Sequence, residues 1–175
     1  MKRQILLSLA LMTAGLAMAG DVLIKSPDSK LVVIVSNEDG RAEYSVNYEG
    51  KQMLTKSYLG LKTNIEDFTQ GLTLKNDVAT SEVNNCYTMN RTKRAISEYH
   101  ANQALITFEN SNKKEFTVTF QVSNNNIAYK YSMPRYGDTK CMIIEAEASS
   151  FNFPAQTTTF LCPQIGPMTG WERTK

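Results

Sequence analysis

Glu145 and Glu147 stand two residues apart in Met142-Ile143-Ile144-Glu145-Ala146-Glu147-Ala148, a spacing that suits paired carboxylate chemistry. On a strand they would share one face, about 6.5–7 Å apart at roughly 3.3 Å rise per residue. That separation lies within the range for the acid and base of an inverting glycosidase. The solvated face of any strand carries the same pattern, and nothing nearby would raise one carboxyl pKa and spare the other. The solvated face is the preferred reading, with a small enzyme built on this pair kept as a rival.

Other reactive residue types are sparse. His100, in Glu98-Tyr99-His100, is the only histidine, so a His-rich metal site is excluded and a catalytic triad lacks an identified nucleophile beside it. It is expected to cap or pack a strand end. Cys86, Cys141 and Cys162 are odd in number and include no C-x-x-C pair, which weakens a zinc or thioredoxin-type reading. One disulfide, Cys141 with Cys162, and three reduced, mostly buried thiols both remain open. Asn90-Arg91-Thr92 matches the N-glycosylation pattern, which only a eukaryotic secretory route would use. Trp171, the sole tryptophan, follows Pro163, Gly166, Pro167 and Gly170. Its ring would stack on a sugar or anchor the domain against a neighbour, and the neighbour is preferred.

The elements that must position these groups read as strands. Tyr44, Val46 and Tyr48 alternate with Glu43, Ser45 and Asn47, and Phe116, Val118, Phe120 and Val122 with Thr117, Thr119 and Gln121. Ile127, Tyr129 and Tyr131 alternate with Ala128, Lys130 and Ser132. Each run offers one buried and one wet face. Leu31 to Val35 is apolar on both faces and suits a more central strand. Asp39-Gly40, Glu49-Gly50 and Asn124-Asn125-Asn126 supply residues that tolerate positive φ in tight turns. Ile65 to Gln70 is read as a single helical turn. About ten candidate strands at short spacing predict an all-β sandwich of antiparallel sheets.

Residues 1–19 read as a secretory signal peptide. Lys2 and Arg3 precede an apolar run from Ile5 to Leu16, and Ala17-Met18-Ala19 is a small-x-small cleavage site, which puts the cut between Ala19 and Gly20. The run is too short to span a membrane, and the expected destination is periplasmic or extracellular. Losing Lys2 and Arg3 takes the basic count from 19 to 17, equal to the 17 acidic residues. A net charge near zero gives no electrostatic case for nucleic acid or an anionic membrane. The cluster Arg91-Thr92-Lys93-Arg94 is read as a solvated loop.

Several segments, taken in order, carry a family likeness: Ser26-Pro27-Asp28-Ser29-Lys30-Leu31, Tyr44-Ser45-Val46-Asn47-Tyr48-Glu49-Gly50-Lys51 and Ser57-Tyr58-Leu59-Gly60-Leu61. Phe120 to Tyr131, Phe151-Asn152-Phe153-Pro154, Thr157 to Leu161 and Gly170-Trp171-Glu172-Arg173-Thr174-Lys175 continue it. The chain resembles the N-terminal domain of glycoside hydrolase family 97, the secreted α-glucosidases and α-galactosidases of Bacteroidota, from about Val22 onward. The resemblance implies a β-supersandwich of the galactose-mutarotase-like kind over residues 20–156. Residues 157–175 would then connect to a catalytic (β/α)₈ barrel in the same polypeptide. It also implies calcium in the intact enzyme, an α-linked oligosaccharide substrate and a Gram-negative source. Catalytic residues belong to the barrel in this family, so no catalytic or metal-ligating residue carries over. Gly170, Trp171 and Arg173 are expected to contact carbohydrate or barrel. A freestanding carbohydrate-binding β-sandwich is the alternative.

Overall fold

A computed structural model describes residues 20–158 except Thr92, Arg94, Thr139 and Lys140. Eleven strands are found there: β1 (Val22–Lys25), β2 (Leu31–Glu38), β3 (Arg41–Tyr48), β4 (Lys51–Leu59), β5 (Leu61–Thr63) and β6 (Thr73–Leu74), then β7 (Ala79–Thr88), β8 (Ile96–Glu109), β9 (Glu115–Ser123), β10 (Ile127–Ser132) and β11 (Ile144–Glu147). They form an antiparallel sheet β1-β2-β3-β4, a second sheet β10-β9-β8-β6 with β7 also on β8, and a small β5-β11 pair. The all-β sandwich expected from the alternation is present.

The core lies between the two large sheets. Leu31, Val33 and Val35 of β2 are buried with Ala42, Tyr44 and Val46 of β3. They meet Ala104, Ile106 and Phe108 of β8 and Phe116, Val118, Phe120 and Val122 of β9. Tyr44 bridges the layers, with ring centroids 5.8 Å from Phe120 and 5.9 Å from Tyr129. Burial pushes the Tyr44 phenol well above its ordinary pKa, and its hydroxyl donates to the Ser150 carbonyl at 3.1 Å. Tyr131, on β10, is raised to about 12, mainly by burial. Both hydroxyls therefore remain neutral across the physiological range.

Turn chemistry sets the registers. Asp39 (φ 50°) and Gly40 (φ 70°) join β2 to β3, and Glu49 (φ 49°) and Gly50 (φ 81°) join β3 to β4. Two successive positive φ angles match the right-handed twist of the flanking strands. The asparagine run also turns the chain, yet none of the three asparagines has a positive φ. Its hairpin closes instead through the Ser123 N–H donating to the Asn126 carbonyl at 2.9 Å. No helical turn forms at Ile65–Gln70. Thr63 Oγ1 receives the Glu66 N–H at 2.9 Å, and a backbone β-bridge pairs Asp67 with Lys62, so the segment is held as a loop that seats Phe68 in the core.

Glu43 departs from the expected wet face. It is only 7% exposed, and its Oε2 has no hydrogen-bond partner. The β3–β4 register shifts between Tyr44 and Val46, breaking the simple alternation. Burial pushes the Glu43 carboxyl above the usual carboxylate range, with Glu38 and Asp39 adding to the rise and Lys56 and Arg41 opposing it. A carboxyl with a raised folded pKa favours the fold while protonated and costs stability as pH climbs through that pKa. Glu43→Gln is therefore expected to stabilise the domain by about 1 kcal/mol at pH 7. The gain should vanish below about pH 4, under the unfolded carboxyl pKa. Urea unfolding of both proteins at pH 7 and pH 4 tests this, and an equal gain at both would remove the titration argument.

Candidate functional site

The segment after β11 does not pair as a named strand, but its backbone is stitched along β4 and the residue after it. The Ala148 N–H donates to the Gly60 carbonyl at 2.9 Å, and Ser150 and Tyr58 exchange bonds through Ser150 N–H to Tyr58 O (3.0 Å) and Tyr58 N–H to Ser150 Oγ (2.8 Å). The Thr55 N–H donates to the Asn152 carbonyl at 2.8 Å, and Asn152 Nδ2 donates to the Lys56 carbonyl at 2.6 Å. This well-anchored backbone nonetheless presents Phe151 and Phe153 to solvent, the latter 48% exposed, and Ile143 and Ile144 are exposed in the same C-terminal region. Phe153 and Pro154 wall a groove of about 750 Å³ with Met53, Leu54 and Ile127. Large apolar side chains exposed together mark a surface for another protein body. Holding their backbone in place lowers the ordering cost of that contact.

A second concavity, about 760 Å³, is polar and opens beside Glu43. The β2–β3 turn, β4, the loop through Gly71 and the β8–β9 turn build it, contributing among others Arg41, Tyr58, Asp67 and Asn112. Arg41 lies over the Tyr58 ring at 5.1 Å. Reading the sequence missed this site, because its four walls are far apart in the chain. The one local signal was an acidic residue in an alternating run, which pointed outward.

The residues singled out from the sequence fare differently. Glu145 and Glu147 both lie exposed on β11, and the register breaks between Ile144 and Ala146. Glu145 approaches Lys62 at 3.8 Å, so the pair sits on a solvated face as preferred. His100 is not at a strand end. It sits within β8, opposite Asn84 of β7, with Nδ1 2.6 Å from Asn84 Oδ1 and Nε2 3.8 Å from Glu98. Cys86 and Cys141 are exposed, contrary to buried thiols, because Cys86 falls on a ribbon that only β8 backs. Cys162, Gly170, Trp171, Arg173 and the cleavage residue Ala19 lie outside the described residues, and Gly20 is exposed.

A profile of glycosyl-hydrolase 97 N-terminal domains matches residues 24–175. The chain belongs to the glycosyl-hydrolase 97 N-terminal family. Among solved structures it is similar to a beta-arabinopyranosidase, at 41% identity and a TM-score of 0.79, over 89% of this chain and 25% of that one. A variant glycoside hydrolase family 97 enzyme from Pseudoalteromonas sp. strain K8, in complex with panose, matches at 19% identity and a TM-score of 0.70. The match covers 77% of this chain and 20% of that enzyme, and the same enzyme in complex with acarbose gives the same values. At that identity the likeness shows the fold alone. No curated protein matches.

The glycosyl-hydrolase 97 N-terminal chain thus spans about a quarter of the length of the beta-arabinopyranosidase. Segments that carry the family likeness hold structural posts. Ser26 Oγ donates to Asp28 Oδ1 at 2.6 Å and accepts the Leu31 N–H at 3.0 Å, shaping the β1–β2 turn. Ser57 Oγ, fully buried, accepts the Asn152 N–H at 2.9 Å and so ties the Phe151–Pro154 segment to β4. Among the described residues no group of three or more His, Cys, Asp or Glu side chains is placed to share a metal ion. No helix of the described residues is long and apolar enough to cross a membrane.

Proposed function

We propose that this chain is the non-catalytic N-terminal domain of an exported, calcium-dependent, exo-acting α-glycosidase. Its role is to brace a (β/α)₈ barrel through the apolar edge formed around Phe151 and Phe153. The observation that carries this reading is the 41% identity to a beta-arabinopyranosidase over 89% of this chain, against 25% of that enzyme. The bulk of such an enzyme, and room for its catalytic carboxylates, lies beyond a domain of this size.

Hydrolysis in the intact protein would use two carboxyl groups flanking the glycosidic oxygen and an oxocarbenium-like transition state. Both carboxyl groups would belong to the barrel. Gly170, Trp171 and Arg173 are assigned to the contact with barrel or substrate. The cut between Ala19 and Gly20 would release the domain into the periplasm or the medium. A β-l-arabinopyranoside has the ring stereochemistry of an α-d-galactopyranoside without its C6 carbon. The similarity therefore favours galactoside-configured substrates over glucosides.

The test begins with the coding frame beyond codon 175. The extended polypeptide is expected to hydrolyse p-nitrophenyl α-d-galactopyranoside or β-l-arabinopyranoside at least about tenfold faster than the α-glucopyranoside. Chelation should abolish that activity, and residues 1–175 alone should show none. A frame that closes at codon 175, or an extended product without glycosidase activity, overturns the proposal. Faster turnover of the glucoside would overturn the substrate preference alone.

A further inference from the structure

The polar cleft beside Glu43 has no part in that function, and its chemistry is specific. Glu43 is more than nine-tenths buried and lines the cleft, and its Oε2, itself shut off from solvent, has no hydrogen-bond partner. Leaving a buried carboxylate oxygen unpaired is costly, and native structures keep few such groups without a functional reason. Simple packing does not need a glutamate here. A neutral glutamine of the same shape would avoid the charge.

The walls around it are fixed. The Leu72 N–H donates to the Gly40 carbonyl at 2.8 Å, joining the loop to the β2–β3 turn. Gly71, at φ 66°, passes so close to the β8–β9 turn that an added Cβ would lie 2.9 Å from Ser111 Oγ. Asn110 Oδ1 accepts the N–H groups of Asn112 (3.0 Å) and Lys114 (2.9 Å). The side-chain amides of Asn110 and Asn112 both donate to Glu66 Oε2 at 2.9 Å. These bonds hold the turn rigid, and Asp39, Gln70 and Ser111 also line the cleft.

The ligand class follows from that lining. Among the described residues no three acidic side chains converge to share a cation. An anion would face Asp39, Glu43 and Asp67 against Arg41 alone. An apolar molecule would strand the amides, the hydroxyl and the carboxylates. A neutral polyol, whose every hydroxyl both donates and accepts, satisfies acceptors and donors interleaved in this way. The volume, about 760 Å³, falls within the range of small-molecule sites. We propose that this cleft is a second carbohydrate site, separate from any catalytic pocket. It would hold a monosaccharide or a sugar-chain terminus, with Glu43 accepting from a ring hydroxyl through the carboxylate oxygen other than the sealed Oε2, and Arg41 and Asn112 beside it.

The experiment uses the whole chain, labelled with ¹⁵N and titrated with d-galactose, l-arabinose and d-glucose. Saturable amide shifts are expected around residues 39–43, 70–72 and 110–112, with a Kd on the order of 1 mM for at least one sugar. Glu43→Gln should weaken that binding about tenfold without lowering the melting temperature, since a charge-assisted bond is lost and a buried charge removed. Arg41→Ala, at an exposed position, should weaken it several-fold. Shifts that are absent at about 50 mM sugar, that never saturate, or that persist unchanged in Glu43→Gln overturn the site. The glycosidase proposal is tested on the extended polypeptide, so the two can fail separately.

Discussion

Phe116→Ala is expected to lower the unfolding free energy by about 3–5 kcal/mol, the cost of deleting a fully buried aromatic ring. Phe116 has no exposed surface. Its ring stacks on Phe108 of β8 at 5.5 Å and lies 5.2 Å from Phe68 of the loop and 5.9 Å from Tyr131 of β10. One side chain thus joins three separate parts of the chain, and alanine would leave a cavity bordered by rings that cannot readily collapse. A domain of this size has a total stability of about 5–15 kcal/mol, so roughly a fifth or more is at stake. Roughly 3 °C of melting temperature per kcal/mol converts the loss to about 10–15 °C. Thermal and urea unfolding followed by circular dichroism measure it. Phe153→Ala, at a half-exposed ring, should change stability by no more than about 0.5 kcal/mol and serves as the contrast. A loss below about 1 kcal/mol for Phe116→Ala would mean the cluster is not the keystone described above.

Gly60→Ala is expected to cost about 3 kcal/mol or more through the backbone. Gly60 sits between β4 and β5 at φ +147°, and an added Cβ would lie 2.5 Å from the Phe68 carbonyl oxygen and 3.2 Å from Thr69 Cα. Those atoms are backbone, so no rotamer change relieves the clash. Its N–H receives no slack either, since it donates to the Tyr131 hydroxyl at 3.2 Å while its carbonyl accepts from Ala148. The loop that would be displaced is the one that seats Phe68 against Phe116. Gly60→Ala and Phe116→Ala should therefore be coupled by about 1 kcal/mol in a double-mutant cycle. Strict additivity would show that the strain stays at Gly60 and never reaches the aromatic cluster.

Much of the fold is legible in the sequence. Phe116, Val118, Phe120 and Val122 alternate on one face and are all buried. The Asp-Gly and Glu-Gly pairs turn with positive φ angles, which their glycines favour. These features follow from local sterics and from the two-residue repeat of a pleated strand. Where local rules conflicted with distant partners, the partners won. Ile65–Gln70 has the composition of a helical turn, yet Thr63, Lys62 and the buried Phe68 hold it open. His100 looked terminal because the residues around it are polar, but β7 pairs with β8 beyond it.

The two surfaces with functional promise were decided by tertiary structure. Phe151 and Phe153 resemble core aromatics in the sequence, and only their backbone bonds to β4 turn them outward. Glu43 reads as a solvated residue until the loop through Gly71 and the turn at Asn110–Asn112 come to flank it. The sequence by itself determined the β-class, the hairpin positions and the family likeness, because each depends on residues within a few positions of one another or on their order. Burial of a particular carboxylate and exposure of a particular ring depend on segments 30 to 100 residues away. The chain's local preferences are silent about such contacts, since packing energy is settled only when the two sheets close over a shared core.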